Sequence, residues 1–175
     1  MTHKVLVVHP QKCTGCRICE QWCSWSHHTV VNPAKSRIAI HRLHHRYVNV
    51  PVACSQCTKA PCIEVCPEGS ISRDPETFGL ILDQETCIGC RLCLESCPRG
   101  CIKVDADEGM PLLCDLCGGD PQCVKHCPED AILYLEPDKV DRGYREFHTC
   151  QGLGGEGRRR NELLGGWTGW YYAAS

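Results

Sequence analysis

Apolar residues in this chain come in short bursts, not in long periodic runs. Val5 to Val8, Leu80 to Leu82, Ile102 to Val104 and Ile132 to Leu135 are the clearest. The last three are of strand length and read as short strands. Ile38, Ile40, Tyr47, Val48 and Val50 suggest strand in a further segment. Three of the bursts follow related lead-ins: Pro-Glu-Gly-Ser-Ile (67–71), Pro-Arg-Gly-Cys-Ile (98–102) and Pro-Glu-Asp-Ala-Ile (128–132). Each Pro follows a cysteine. Proline favours extended backbone before it and stops a helix there, so the cysteine closes a short helix or turn. The predicted unit is loop, half-helix, strand, repeated along the chain.

Composition makes the bursts too sparse to hold a fold alone. The 42 % hydrophobic share of the 175 residues includes 18 cysteines, and only two Phe and two Met are present. Without cysteine the share is roughly 32 %, below the usual globular range. Such a chain struggles to offset its ordering entropy by apolar burial. Cross-linking through the cysteines must supply the rest. The formal net charge of −2 gives no reason to expect a nucleic-acid partner. No stretch approaches the roughly 20 apolar residues of a membrane span. No signal-peptide h-region or twin-arginine pair stands near the start, and the chain reads as cytoplasmic.

Sixteen cysteines fall into four groups of one grammar. Cys13, Cys16, Cys19 and Cys23 form C-x2-C-x2-C-x3-C, and Cys87, Cys90, Cys93 and Cys97 repeat it. Cys54, Cys57, Cys62 and Cys66 have a wider middle gap of four residues; Cys114, Cys117, Cys123 and Cys127 have one of five. Zinc is the chief rival, but zinc sites combine two C-x2-C pairs or C-x2-C with His. A disulfide scaffold is disfavoured because no secretion signal accompanies the cysteines. C-x2-C-x2-C-x3-C-Pro is a [4Fe–4S] signature, in which the compact loop binds three irons and the fourth cysteine ligates a second cluster. The sixteen thiols therefore call for four [4Fe–4S] clusters. Spacing leaves open whether neighbouring or nested motifs exchange fourth ligands. Gly15 and Gly89 let backbone approach the clusters. Cys101 occupies the slot of Ser70 and Ala131 and reads as a buried structural thiol; Cys150 reads as a bystander. His27, His28, His41, His44 and His45 read as solvated or partner-facing, since four thiolates already complete each group.

The motif order resembles the four-cluster ferredoxin-like subunits of molybdenum and tungsten pterin oxidoreductases, such as dimethyl-sulfoxide reductase and formate dehydrogenase. The likeness runs over about residues 5–136 and rests on the x4 gap (Thr-Lys-Ala-Pro between Cys57 and Cys62) and the longer gap before Cys123. It implies an α+β, loop-rich fold of two nested ferredoxin-like dicluster units with short strands and helices. Carried over, it implies four ligand sets: Cys13, Cys16, Cys19 with Cys127; Cys114, Cys117, Cys123 with Cys23; Cys54, Cys57, Cys62 with Cys97; and Cys87, Cys90, Cys93 with Cys66. Residues 1–23 and 102–136 would form the outer unit and 54–101 the inner one. Residues 24–53 would be a cysteine-free insertion, an exposed hairpin or arm, and 137–175 a glycine- and aromatic-rich tail for partner docking. The short chain, its lack of a C-terminal membrane anchor and the stretch Cys-Glu-Gln-Trp-Cys-Ser-Trp-Ser (19–26) are similar to polyferredoxin partners of tungsten aldehyde oxidoreductases. The expected role is a non-catalytic relay between a pterin-metal catalytic subunit and a flavin subunit, a ferredoxin or further copies of the chain. The alternative is a free soluble polyferredoxin serving several enzymes.

Overall fold

The computed structural model describes residues 3–43 and 48–140. Cys150, the aromatic tail and His44 to Tyr47 lie outside the described residues.

The elements are small because the sequence allows little else. Strands β1 (Val5–Val8), β4 (Ile71–Arg73), β5 (Leu80–Leu82), β6 (Lys103–Val104), β7 (Pro111–Leu112) and β8 (Ile132–Leu135) span two to four residues each. Strands β2 (Ala39–Leu43) and β3 (Val48–Val52) are longer. All pair antiparallel in four two-stranded ladders, β1–β8, β2–β3, β4–β5 and β6–β7. The β1–β8 ladder joins the two ends of the described chain, with Val5 opposite Leu135 and Val8 opposite Ile132. The β4–β5 and β6–β7 hairpins lie between them in sequence, so the topology is nested.

Four short helices carry cysteines: α1 (Ile18–His28), α2 (Pro61–Glu64), α3 (Leu92–Ser96) and α4 (Gln122–Lys125). Proline begins α2, where its missing N–H costs nothing. Cys97 just past α3 is extended, as its following proline demands. Only α1 runs on, since Ser24 stands where the other groups have proline. Thr29, in left-handed backbone, closes it with its amide on the Trp25 carbonyl, 2.8 Å. Helix α1 packs on α4, and α2 on α3.

The interior splits in two. One cluster gathers Ile71, Leu80, Ile102 and Leu113 with Cys62, Cys93 and Cys97. The other gathers Leu6, Val8, Ile38, Leu116 and Ile132 with Cys19, Cys23 and Cys123. Thiols supply much of what little core there is.

Segment 24–53 forms the expected hairpin, β2–β3, but it is not a free arm. Glu20, buried in α1, accepts from the Ile40 amide at 2.7 Å. Asn49 donates to the Cys13 carbonyl, and Arg42 to the Gly15 carbonyl. Arg42 thus faces the first cysteine loop. Lys35 pairs with the buried Asp105, and Lys103 donates to the Pro33 carbonyl at 2.9 Å. The segment stitches the outer elements to the β6–β7 hairpin. Among the described residues, no helix is long and apolar enough to cross a membrane.

Candidate metal centres

Each C-x2-C opening adopts one backbone shape. The residue before the second cysteine has left-handed φ in all four: Gly15 at 75°, Gln56 at 51°, Gly89 at 66° and Leu116 at 58°. This turn curls the loop so that both thiols face one side. Glycine takes the shape without strain; Gln and Leu hold it against a steric cost. Gln56 and Leu116 are buried, 3 % and 1 % exposed, so packing holds them there.

The four loops enclose four cavities, each lined by three cysteines of one loop and a fourth motif cysteine from elsewhere. The first has Cys13, Cys16 and Cys19 with Cys127. The second has Cys114, Cys117 and Cys123 with Cys23. The third has Cys54, Cys57 and Cys62 with Cys97, and Cys101 besides. The fourth has Cys87, Cys90 and Cys93 with Cys66. All sixteen cysteines of the motifs are brought together in this way. The x3 spacing is the device. Four residues make about one helical turn and advance the chain about 6 Å. Cys19 and Cys23 thus stand on the same face of α1 one turn apart and open into neighbouring cavities, as do Cys93 on α3 and Cys97 just past its end.

The cavities also adjoin across the two cores. Ala53 lines the Cys114 cavity and its neighbour Cys54 the next. Leu80, which lines the Cys54 cavity, donates its amide to the Cys114 carbonyl at 3.0 Å. A Cβ on Gly79 would lie 2.4 Å from the Asp115 carbonyl oxygen, so the β4–β5 turn lies directly against the fourth loop. The spatial order is Cys13, Cys114, Cys54, Cys87. Cys16 and Cys90, in the first and last of these, are exposed.

In three of the sets the fourth cysteine is held by donors from the turn after it. Gly69, Gly100 and Asp130, with φ between 49° and 63°, reverse the chain after each Cys-Pro. The Ala131 amide then reaches the Cys127 sulfur at 3.3 Å. Cys23 receives the Arg37 amide at 3.2 Å instead. Burial alone would raise the Cys23 thiol, but the His27 side chain and the Arg37 amide outweigh it and lower its pKa. Cys97 is brought down to about 6, first by the Cys101 thiol and then by backbone amides, against its burial. Burial, with Glu20 adding charge, pushes Cys19 up to about 12. Burial likewise raises Cys62, to about 11. Protonated thiols at such values need a metal to deprotonate them.

Sequence reasoning missed the part played by four residues. His27 is half-buried against the second cavity, its Nδ1 at 2.7 Å from the Cys23 carbonyl and its Nε2 at 2.9 Å from Asp115. Its place four residues after Cys23 was the available signal. Gln56 has both carboxamide atoms buried and unpartnered, and Arg37 has two guanidinium nitrogens so. The buried Ser70 hydroxyl is unpartnered too. These three line three different cavities. Buried donors without acceptors are costly; inorganic sulfide or thiolate in the cavities would satisfy them. Four thiols and orphaned donors fit an iron–sulfur cluster. Cys101 is buried as expected, with its sulfur 3.5 Å from that of Cys97.

Comparison with known proteins agrees with this donor chemistry. Residues 45–137 match the family described as "4Fe-4S dicluster domain". The polyferredoxin-like subunit of aliphatic sulfonate oxidoreductase from Pyrococcus furiosus is 40 % identical over 124 residues, 71 % of each chain. The electron transport protein HydN of Escherichia coli strain K12 is 30 % identical, covering 93 % of this chain and 99 % of HydN. The beta subunit of NADH-dependent phenylglyoxylate dehydrogenase from Aromatoleum evansii is 31 % identical over 93 % of this chain and 37 % of its own length. Among solved structures, a chain of the benzoyl coenzyme A reductase active-site complex BamBC with zinc aligns with a TM-score of 0.48 and 30 % identity, covering 93 % of this chain and 90 % of that one. This chain belongs to the 4Fe-4S dicluster family and is an iron–sulfur electron-transfer subunit of the oxidoreductase-complex type, carrying four [4Fe–4S] clusters.

Proposed function

We propose that the chain is a four-centre conductor that relays electrons between a molybdenum or tungsten pterin catalytic subunit, an aldehyde oxidoreductase in the narrowest reading, and a redox partner in the cytoplasm. The single observation that carries the relay is the run of four thiol-lined cavities, edge to edge, with an exposed cysteine in each terminal one. A storage or scaffold protein has no need of an exposed centre at each end of a continuous row. The ligand sets are Cys13, Cys16, Cys19 and Cys127; Cys23, Cys114, Cys117 and Cys123; Cys54, Cys57, Cys62 and Cys97; and Cys66, Cys87, Cys90 and Cys93. Two dicluster units result: residues 1–23 with 102–136, and residues 54–101. The hairpin of 24–53 braces them.

The partner rests on the motif order and on relatives named as subunits of oxidoreductases. A flavin subunit, a ferredoxin or a second copy of the chain would take the electrons onward. Two measurements test the reading. The purified chain holds 4 × 4 = 16 irons and an absorption that bleaches on reduction; a pair of zinc ions instead ends it. Native purification brings down a large subunit with a metal-bound pterin. A chain that purifies alone and reduces several unrelated enzymes at equal rates is a free polyferredoxin.

A further inference from the structure

Each of the four cavities is lined by four motif cysteines, and they differ in what else faces the cluster. Beside the thiols, the Cys13 cavity is lined by Arg17 and Glu129, and the Cys87 cavity by Arg91 and Glu68. The charges in each balance. The Cys114 cavity has Arg37 and His27 with Asp115, which is hydrogen-bonded to His27. The Cys54 cavity is lined by Arg73 and Arg99, of which Arg73 carries its charge to the cavity from β4.

Arg73 is fixed where it matters. It lies on β4, and its guanidinium donates to the Cys57 carbonyl and to the Phe78 carbonyl, the latter at 3.2 Å. Its Cζ sits 3.9 Å from the Phe78 ring centroid. Two further donors point the same way. The Gln56 carboxamide is buried in this cavity without a partner. The Cys101 thiol, buried at 3.5 Å from the Cys97 sulfur, lines no other cavity described. In the slot of Cys101, the Cys13 cavity has Ala131, which offers only its amide; the Cys87 cavity has the Ser70 hydroxyl there, but its Arg91 is balanced by Glu68. In the slot of Gln56, the Cys114 cavity has Leu116, which offers no donor.

Reduction adds one negative charge to a cluster. A nearby cation and hydrogen bonds to its sulfurs stabilise that added charge and raise the potential. Burial in low dielectric acts the other way, but the Cys54 and Cys114 cavities share an interior position, so burial does not separate them. We propose that the cluster in the Cys54, Cys57, Cys62 and Cys97 cavity has the highest potential of the four, set by Arg73, Gln56 and Cys101. An electron entering at either end would settle first at this interior centre, which makes it the holding site of the row. The proposal rests on the four-cluster reading above.

The test is a redox titration of the iron-loaded full-length protein followed by electron paramagnetic resonance. Three positioning variants are compared with wild type: Arg73→Met, Gln56→Leu and Cys101→Ala. The last two use residues the chain already accepts at the matching positions of loop four and of the final turn. Each variant should lower the midpoint of one and the same signal, the first to appear on reduction, and leave the other three in place. If a variant loses a cluster, the missing signal must again be that first one. Shifts of different signals, a shift or loss of a signal that appears later, or no shift in any variant overturns the proposal. Iron content is read alongside: fewer than sixteen irons in the wild type defeats the four-cluster reading instead.

Discussion

At the scale of residues, the side chain at one shared backbone angle separates the two kinds of loop. The position before the second cysteine is left-handed in all four groups, and it is Gly in groups one and three but Gln56 and Leu116 in groups two and four. The glycine loops hold the exposed Cys16 and Cys90. The Gln and Leu loops stand at the junction of the two cores, where a side chain is needed to fill space. The alternation is visible in the sequence, yet it acquires meaning only once the loops are known to share a turn. Gly79 is the opposite case. Its φ is unexceptional, and only the packing of the β4–β5 turn on loop four explains it. Gly79→Ala should therefore destabilise the protein by about 1–3 kcal/mol through overpacking. A thermal melt of the iron-loaded variant checks this, and an unchanged midpoint would mean that the turn yields freely.

At the scale of elements, the strands after each Cys-Pro were legible because apolar bursts of three or four residues recur at fixed offsets from the cysteines. The run Val5 to Val8 was visible, but its partner was not. Ladder pairing across the whole chain leaves no local signal, and the same cysteine spacing serves neighbour exchange as well as nested exchange. Segment 24–53 read as an exposed arm because it has no cysteine and is locally basic. Two of its described basic residues bond to the rest of the fold: Arg42 to a loop carbonyl and Lys35 to Asp105. Asp105 is held below its ordinary range, first by the Asp107 amide and also by Lys35. A depressed carboxylate contributes in full above its unfolded pKa, near 3.9, and loses that contribution as pH falls through the lower folded value. The clamp is thus fully formed at every pH above about 5. Asp105→Asn should melt at a lower temperature than wild type, by the same margin at pH 5, 7 and 9. A margin that changes across this range would assign the charge elsewhere.

At the scale of the whole molecule, the β1–β8 ladder and the α1–α4 contact decide which loops share a cavity. Cys13→Ala and Cys127→Ala should each abolish the same paramagnetic signal, although the residues lie at opposite ends of the cysteine-bearing chain. Loss of two different signals would favour exchange between neighbouring motifs. Cys66→Ala and Cys90→Ala should likewise share a signal, distinct from the first.

The ladder that joins the first strand to the last also sets a timetable for biosynthesis. Cys54 and Cys97, which share an inner cavity, are 43 positions apart, whereas Cys13 and Cys127 are 114 apart. The entropic difference in closing loops of these lengths is only about 1 kcal/mol, so the finished protein barely registers it. A ribosome does. The inner thiols can be filled once residue 97 is clear of the exit tunnel, while Cys13 waits with its two loop companions until Cys127 emerges. During that wait its open corner is exposed to oxygen and to adventitious metal. Nascent chains arrested with residue 113 free of the tunnel should therefore accept two clusters when supplied with iron and sulfide, and the outer pair should load only once residue 127 is free as well. Four clusters on the arrested chain would show that the outer loops can be completed without their distant partners.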